Sequence, residues 1–484
     1  MDAKNNVFSN LIWRFAERSG AQIVQFIVSI VLARLLLPET FGIISLVLVI
    51  AQIFQVFVDS GLGNALIQKK DADDLDFSSV FWFNIVWCLL LYVVVYFAAP
   101  GIALFYKDIS LIPVVRFLCI TIIISGLKNV QQAYVSRTMQ FKKFFFSTLG
   151  GTIASAFAGI GLAYAGLGVW AIVAQKLVNL TVDTLVLWIT VKWRPKFIFS
   201  IERLKSLLSF GWKLLVSALL DTVYTNLRQL VIGRIYTTSE LAYYNQGVKF
   251  PEIIAANINT SIDSVLLPTM SQEQDYKTKV KGMTRRAIKI STYVMAPLMM
   301  GLTFCAHSVV GLVLTDKWLP SVFYMQIFCI TFMFYPIHTA NLNAIKALGR
   351  SDLFLKLEIA KKVVGLILLI STMWFGVKVM ALSMLVSSLT SQIINTFPNK
   401  KLLNYGYTEQ LKDILPAIGL AVVMGIIIYP IQHLGLSYLL TLFIQVPIGT
   451  AIYIIGSKLL HLDSFEYLLG IVKPYIKKLK DKLC

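Results

Sequence analysis

Arg14, Arg18, Gln22, Gln25 and Ser29 follow one another at steps of three or four residues inside an otherwise apolar stretch. On a helix those steps share one face. A face with two guanidinium groups can hold an anion, because arginine presents a bidentate fork of donors to phosphate oxygens. Ser217, Asp221, Thr225 and Arg228 make a similar row about 200 residues later. Gln52, Gln55 and Asp59 make a third, and Asn245, Lys249, Glu252, Asn259 and Asp263 a fourth, interrupted by Pro251, which frees a carbonyl. Lys128 with Gln132, and His338 with Asn341, add polar groups to two further apolar stretches.

Charge at membrane depth costs roughly 2.5–3.5 kcal/mol per residue, so such rows mark a polar pathway inside a helix bundle. The competing reading is pairing between helices: Glu17 with Arg14 or Arg18, Asp221 with Arg228, Lys249 with Glu252 or Asp263. Taken together, the rows imply a water-filled cavity whose cations slightly outnumber its anions, suited to a headgroup such as a pyrophosphate. Arg14, Arg18, Arg228, Lys128 and Lys249 are the candidate binding cations, with Arg18 and Arg228 the principal pair. Asp59, Asp221 and Asp263 are candidates for a coupling proton or sodium ion. Arg34 and Arg234 lie near the outer ends of their stretches, where snorkelling to water accounts for them.

The elements that must carry these rows are membrane helices. Of 484 residues 57% are hydrophobic and 14% charged, against roughly 25% charged in a soluble domain, and mean hydropathy is +0.73. The net charge of +19 would suggest nucleic acid in a soluble chain. Here it sits mostly in short loops and reports orientation instead. Apolar stretches near 10–37, 41–67, 78–105, 110–136, 144–165, 168–191, 206–236, 241–268, 287–314, 320–345, 355–375, 377–396, 413–432 and 436–458 predict fourteen spans. Even-numbered connections are basic and odd-numbered ones nearly uncharged, with about 29 Lys and Arg on one side against about 5 on the other, which predicts cytoplasmic termini. The stretch from Lys473 to Lys482 is basic and amphipathic, and reads equally as a segment on anionic lipid or as a solvated tail.

Met1 to Asn6 carries little positive charge and the first apolar stretch lacks a cleavage site, so no secretory signal is expected. Cys88, Cys119, Cys305, Cys329 and Cys484 form no C-x-x-C pair and read as buried free thiols. The four histidines are scattered, and no metal site or other cofactor is expected. Trp82, Trp87, Trp188, Trp193 and Trp318 fall near span ends and read as core or interfacial belt.

The chain repeats itself. The openings Trp13-Arg14 and Trp212-Lys213 correspond, as do Gln132-Ala133 and Asn343-Ala344, and Gly166-Leu-Gly-Val169 and Trp374-Phe-Gly-Val377. Six spans are an even number, so both copies start on the same face, related by an axis along the membrane normal. The predicted fold is an all-α membrane protein: an N-lobe over 1–200, a C-lobe over 201–400, a central cavity, two additional helices over 401–460 and a basic tail over 461–484.

Ala33-Arg34-Leu-Leu-Leu-Pro-Glu-Thr-Phe41-Gly42 and Asp59-Ser-Gly61-Leu-Gly63, with Ala65-Leu-Ile67-Gln68, Tyr244-Asn245, Val265-Leu-Leu-Pro268 and Lys317-Trp318, resemble one family. It is the polysaccharide-transporter branch of the multidrug/oligosaccharidyl-lipid/polysaccharide exporter superfamily, with colanic-acid type exporters the nearest in pattern. The resemblance implies two six-helix lobes around a central cavity. It also implies alternating-access transport of polyprenyl-pyrophosphate-linked oligosaccharide from the inner to the outer leaflet of the bacterial inner membrane, alongside other polysaccharide assembly proteins. Such a protein is no enzyme and binds no nucleic acid. Arg34, Gly42, Asp59 and Gly61 match the branch's pattern. The alternatives are a multidrug efflux antiporter of the same superfamily, disfavoured because a cationic cavity repels cationic cargo, and a murein-precursor flippase. A membrane glycosyltransferase or polymerase would need a larger extracytoplasmic loop than any of the short odd connections.

Overall fold

The computed structural model describes residues 20–59, 61–470 and 473. Arg14, Arg18, Glu17, Cys484 and most of the basic tail lie outside the described residues. All regular structure among the described residues is helical. The first half holds α1 (Gly20–Leu35), α2 (Pro38–Asp59), α3 (Leu62–Gln68), α4 (Asp74–Tyr106), α5 (Leu111–Leu118), α6 (Ile120–Arg137), α7 (Phe141–Tyr164), α8 (Val169–Thr190) and α9 (Ile201–Ile235). Then come α10 (Thr238–Gln272), α11 (Lys277–Leu314), α12 (Ser321–Met333), α13 (Tyr335–Ala347), α14 (Ser351–Thr372), α15 (Val377–Leu403), α16 (Tyr407–Ile428) and α17 (Tyr438–Leu459).

Ten stretches among the described residues are long and apolar enough to cross a membrane, and eleven if the bent pair Ile201–Ser209 and Gly211–Ile235 counts as one. Helices α10 and α14 are long enough, at 35 and 22 residues, but fall short in apolarity because they carry charges such as Lys249, Glu252 and Asp263, or Glu358, Lys361 and Lys362. The residues that make these helices interesting are the ones that hide them from a hydropathy criterion.

Local chemistry sets the helix ends. Asp73 accepts from the Asp76 N–H at 3.0 Å while the Asp76 carboxylate accepts from the Asp73 N–H at 3.2 Å, a capping box that starts α4. The backbone hydrogen bond from Asp76 holds the Asp73 carboxyl below its ordinary range. In the matched segments of the repeat, Gly168 and Gly376 both precede a helix at positive φ, 53° and 98°, where a side chain would be strained.

Packing divides the chain between Ala242 and Tyr243. In the first unit α7 and α8 form an antiparallel hairpin, and α9 lies against α2, α3 and α4. This packing division differs from the sequence repeat, in which α9 opens the second copy. Gly42 on α2 faces the backbone of Thr238 so closely that any Cβ would collide with it. Gly61, at φ 69°, meets Gly211 in the same way beside the 47° bend in α9, with a Cβ falling 2.8 Å from the Gly211 Cα. Arg137 closes the far end of α3 by donating to the carbonyls of Leu66 at 2.8 Å, Lys70 at 2.6 Å and Lys69. Gly42→Val is expected to destabilise the protein by about 1–3 kcal/mol, because backbone cannot yield as a side-chain tip does. Gly101→Ala, which enters open space, should leave it unchanged; thermal unfolding of the two variants in detergent checks the contrast.

In the second unit α11, 38 residues long, packs against α12, α16 and α17. Tyr453 donates to the Tyr293 carbonyl and Tyr293 to Ser457, both at 2.9 Å and buried. At one end, Arg285 forks onto Asp413 with two bonds of 2.7 Å, the Tyr405 hydroxyl donates to Asp413 at 2.8 Å, and Lys289 donates to Asp463 at 2.8 Å. The Lys289 bond keeps the Asp463 carboxyl below its usual range.

One placement differs from the sequence reading. Asn341, assigned to a cavity row, is fully buried in a knot of amides: it exchanges hydrogen bonds with Gln410 at 2.8 and 2.9 Å and accepts from Asn399 at 2.6 Å. Helix α16 closes over that side of α13. Of the two readings left open for the tryptophans, core or interfacial belt, Trp193 and Trp318 take the core, at 7% and 0% exposure. Indole N–H groups that could have pointed to interfacial water are instead taken inside the protein: Trp193 donates to Asp74 at 3.1 Å, Trp188 to the Leu127 carbonyl at 3.1 Å and Trp82 to the Lys196 carbonyl at 2.8 Å.

Candidate functional site

Each unit contains a polar cavity among its own helices. In the first unit it lies between α2, the α5–α6 pair and α8, and has a volume of about 270 Å³. The row predicted on the second span reaches it: Gln55 donates to Asp59 at 3.2 Å, and Asn129 donates to the Val58 carbonyl at 3.2 Å and to Asp59 at 3.4 Å. Lys128 lines the cavity from α6 and forms an ion pair with Asp183 on α8. Both side chains are largely buried, at 12% and 8% exposure, and the second oxygen of Asp183 has no hydrogen-bond partner. Lys176 and Asn179 complete the wall.

In the second unit a cavity of about 330 Å³ is lined by α12 to α15. His338 stands in its wall with Nδ1 3.2 Å from the Asn395 amide nitrogen and Nε2 3.5 Å from the Ser388 hydroxyl. Ser388 itself donates to the Thr331 carbonyl at 3.2 Å, so its oxygen is left to accept from an Nε2–H and the ring fits the tautomer protonated there. Lys361 lines the same space and pairs with Glu358 one turn away at 2.5 Å. Alongside, Thr339 donates to Asn259 at 3.0 Å and Asn343 to Asp263 at 2.6 Å, fastening the polar face of α10 to α13.

The structure thus places Lys128 and Asp59 in one cavity and Asp263 on a buttress beside the other. Arg228 is buried on α9, at 9% exposure, and Asp221 is exposed on the same helix. Lys249 is half-buried on α10, and all three of these residues have interaction partners. Arg14 and Arg18 fall outside the described residues. Four charged residues at these cavities were missed by sequence reasoning: Lys176, Asp183, Glu358 and Lys361. Lys176, Asn179 and Asp183 fall at i, i+3 and i+7, the same-face rule that found the other rows, and that signal was available in the sixth span.

The all-helical fold has solved counterparts. It resembles the lipid II flippase MurJ with a TM-score of 0.76 at 16% identity, covering 93% of this chain and 99% of that one. It also resembles an inward-facing multidrug MATE transporter of the MOP superfamily, with a TM-score of 0.55 at 14% identity over 81% and 98% of the two chains. Residues 31–323 match the polysaccharide biosynthesis protein family, and the chain belongs to that family. Among its relatives are the teichuronic acid biosynthesis protein TuaB of Bacillus subtilis, 26% identical over 62% of both chains, and the succinoglycan biosynthesis transport protein ExoT of Rhizobium meliloti, 23% identical over 64% of this chain and 63% of ExoT. The matched part therefore spans just over three fifths of the length of these two. The lipopolysaccharide biosynthesis protein WzxC of Escherichia coli is 22% identical over 82% of this chain and 83% of its own.

Proposed function

We propose that this protein moves polyprenyl-pyrophosphate-linked oligosaccharide, a repeat unit of a surface polysaccharide, across the bacterial inner membrane by alternating access. The observation that carries the reading is membership of a polysaccharide biosynthesis family whose relatives are named for three different surface glycans, one of them as a transport protein. Helices carrying charge at membrane depth are consistent with it, since a polar headgroup crossing a bilayer needs such a lining. In this reading the chain has fourteen spans, as two six-helix lobes and two additional helices, with both termini cytoplasmic. Arg18 and Arg228 hold the pyrophosphate, and Arg14, Lys128 and Lys249 shape the field around it. The lipid tail stays in the bilayer. Asp59, Asp221 or Asp263 takes the coupling proton or sodium ion, and the protein works beside other polysaccharide assembly proteins.

A strain lacking the protein is expected to accumulate a lipid-linked oligosaccharide in its membranes, measured by mass spectrometry, and to lose the corresponding surface glycan. Arg228→Ala should restore less than a tenth of the export that the wild-type chain restores. Normal surface glycan in the deletion strain, together with drug resistance on overexpression, would move the assignment to efflux.

A further inference from the structure

Among the described residues Lys176 makes no hydrogen bond or ion pair, although it lies about 10 Å along α8 from Val169 and lines a cavity at membrane depth. The other charges around that cavity are accounted for differently. Lys128 is neutralised by Asp183, and Asp59 is held by Gln55 and Asn129. Lys176 is exposed on the wall of that cavity, and an ionisable residue facing a cavity at membrane depth marks a functional position. Resting on the flippase reading, we infer that the first unit's cavity is a subsite for a sugar residue bearing one carboxylate, with Lys176 its counter-ion.

Three features select that ligand. The cavity, with a volume of about 270 Å³, has room for one sugar ring. Among the described residues its wall contains no arginine, and a lysine is a point charge that suits one negative group, whereas bidentate forks favour phosphates. Asp59, in the same wall, repels a multiply charged anion and leaves the single charge at Lys176 as the place for a carboxylate. Around the lysine, Gln55, Ser125, Gln132 and Asn179 offer amide and hydroxyl groups to ring hydroxyls. On α8, Lys176 and Asn179 are one turn apart on the same face, so a carboxylate on the ammonium would leave the adjacent ring oxygens within reach of the amide.

The test uses the full chain in detergent or nanodiscs, followed by thermal unfolding with sodium glucuronate, glucose or inorganic pyrophosphate. Glucuronate is expected to raise the Tm of the wild-type protein in a saturable way, with glucose giving no comparable shift, and any shift by pyrophosphate, which the proposed Arg18 and Arg228 site would give, is expected to survive Lys176→Gln. Lys176→Gln should lose the glucuronate shift while unfolding near the unliganded wild-type temperature, because the side chain is exposed and makes no bond among the described residues that the substitution breaks. Lys176→Arg should retain the shift. An equal response to glucose, a response to pyrophosphate alone, or an undiminished glucuronate shift in Lys176→Gln would overturn the inference. In cells, the lipid-linked glycan accumulating in the deletion strain is expected to contain a carboxylate, its mass separating a uronic acid from a pyruvyl ketal. A wholly neutral glycan overturns the subsite and leaves the flippase reading standing. A deletion strain that accumulates no lipid-linked glycan removes the flippase reading, while the glucuronate titration still decides what binds at Lys176.

Discussion

Asp183→Asn is expected to lower the stability of the protein by about 3–5 kcal/mol, the cost of breaking a buried ion pair by removing one partner. The substitution keeps the shape of the side chain and removes only its charge. Lys128 is 12% exposed and Asp183 8%, so little water is available to solvate the ammonium left behind. The second oxygen of Asp183 already lacks a partner, so the pair depends on this one contact and has no surrounding network to absorb the loss. Replacing both residues by apolar ones of similar size, as in Lys128→Met with Asp183→Leu, should recover most of the stability, because a well-packed apolar pair is often as stable as a buried ion pair. Export should not recover with it, since Lys128 lines the cavity that the proposed headgroup field depends on. Thermal unfolding of the detergent-solubilised variants and complementation of the deletion strain separate the two effects. If Asp183→Asn unfolds at the wild-type temperature, the pair is not buried as described and the prediction fails.

The same pair shows how far the sequence could be read. Apolar length and same-face spacing located Lys128, Asp59 and Asp263, because a charged residue stands out against a stretch of Leu, Ile and Val. The partners were harder. Asp183 lies 55 residues from Lys128 in the chain, and Asn343 lies 80 from Asp263. No helical periodicity links residues on different helices, so which carboxylate meets which cation depends on packing. Asn341 illustrates the converse error. One turn from His338 on α13, it looked like part of a cavity row, yet α16 covers it, and a sequence pattern cannot tell a face that meets water from one that meets another helix. The repeat was more legible in its turns than in its charges. Gly168 and Gly376 precede equivalent helices, and both adopt positive φ, a backbone demand only glycine meets freely. By contrast, the charges have diverged: the cavity of the first unit carries lysines and an aspartate, and that of the second a histidine and a Lys361–Glu358 pair.

Asn341→Leu is expected to cost about 2–4 kcal/mol and to loosen α16 before the rest of the second unit. Asn341 and Gln410 form a reciprocal amide pair at 2.8 and 2.9 Å, and both are 0% exposed. Leucine fills the space but offers neither donor nor acceptor, so Gln410 keeps only weaker contacts, 3.3 Å from Thr396 and 3.4 Å to the Tyr405 carbonyl. Asn399 also loses its 2.6 Å acceptor and retains the Asn341 main-chain carbonyl at 3.2 Å. Each buried group left without a full partner costs about 1–3 kcal/mol, more than the net worth of the bond itself. Arg285→Gln on α11, opposite the first turns of α16, gives the comparison: its fork on Asp413 is geometrically good, but the arginine side chain is 45% exposed and Asp413 keeps Tyr405 and Lys289, so about 1 kcal/mol or less is expected there. The buried amides, which tie α16 to α13 and α15, should therefore outweigh the visible salt bridge, which ties it to α11, in holding α16 in place. The double variant Asn341→Leu with Gln410→Leu removes both halves of the pair and should be more stable than Asn341→Leu alone. Hydrogen exchange read by mass spectrometry on peptides from Tyr407–Ile428 resolves the ranking: protection should fall furthest in Asn341→Leu, least in Arg285→Gln, and return in the double variant. Equal protection in the first two would mean that the surface ion pair carries this helix.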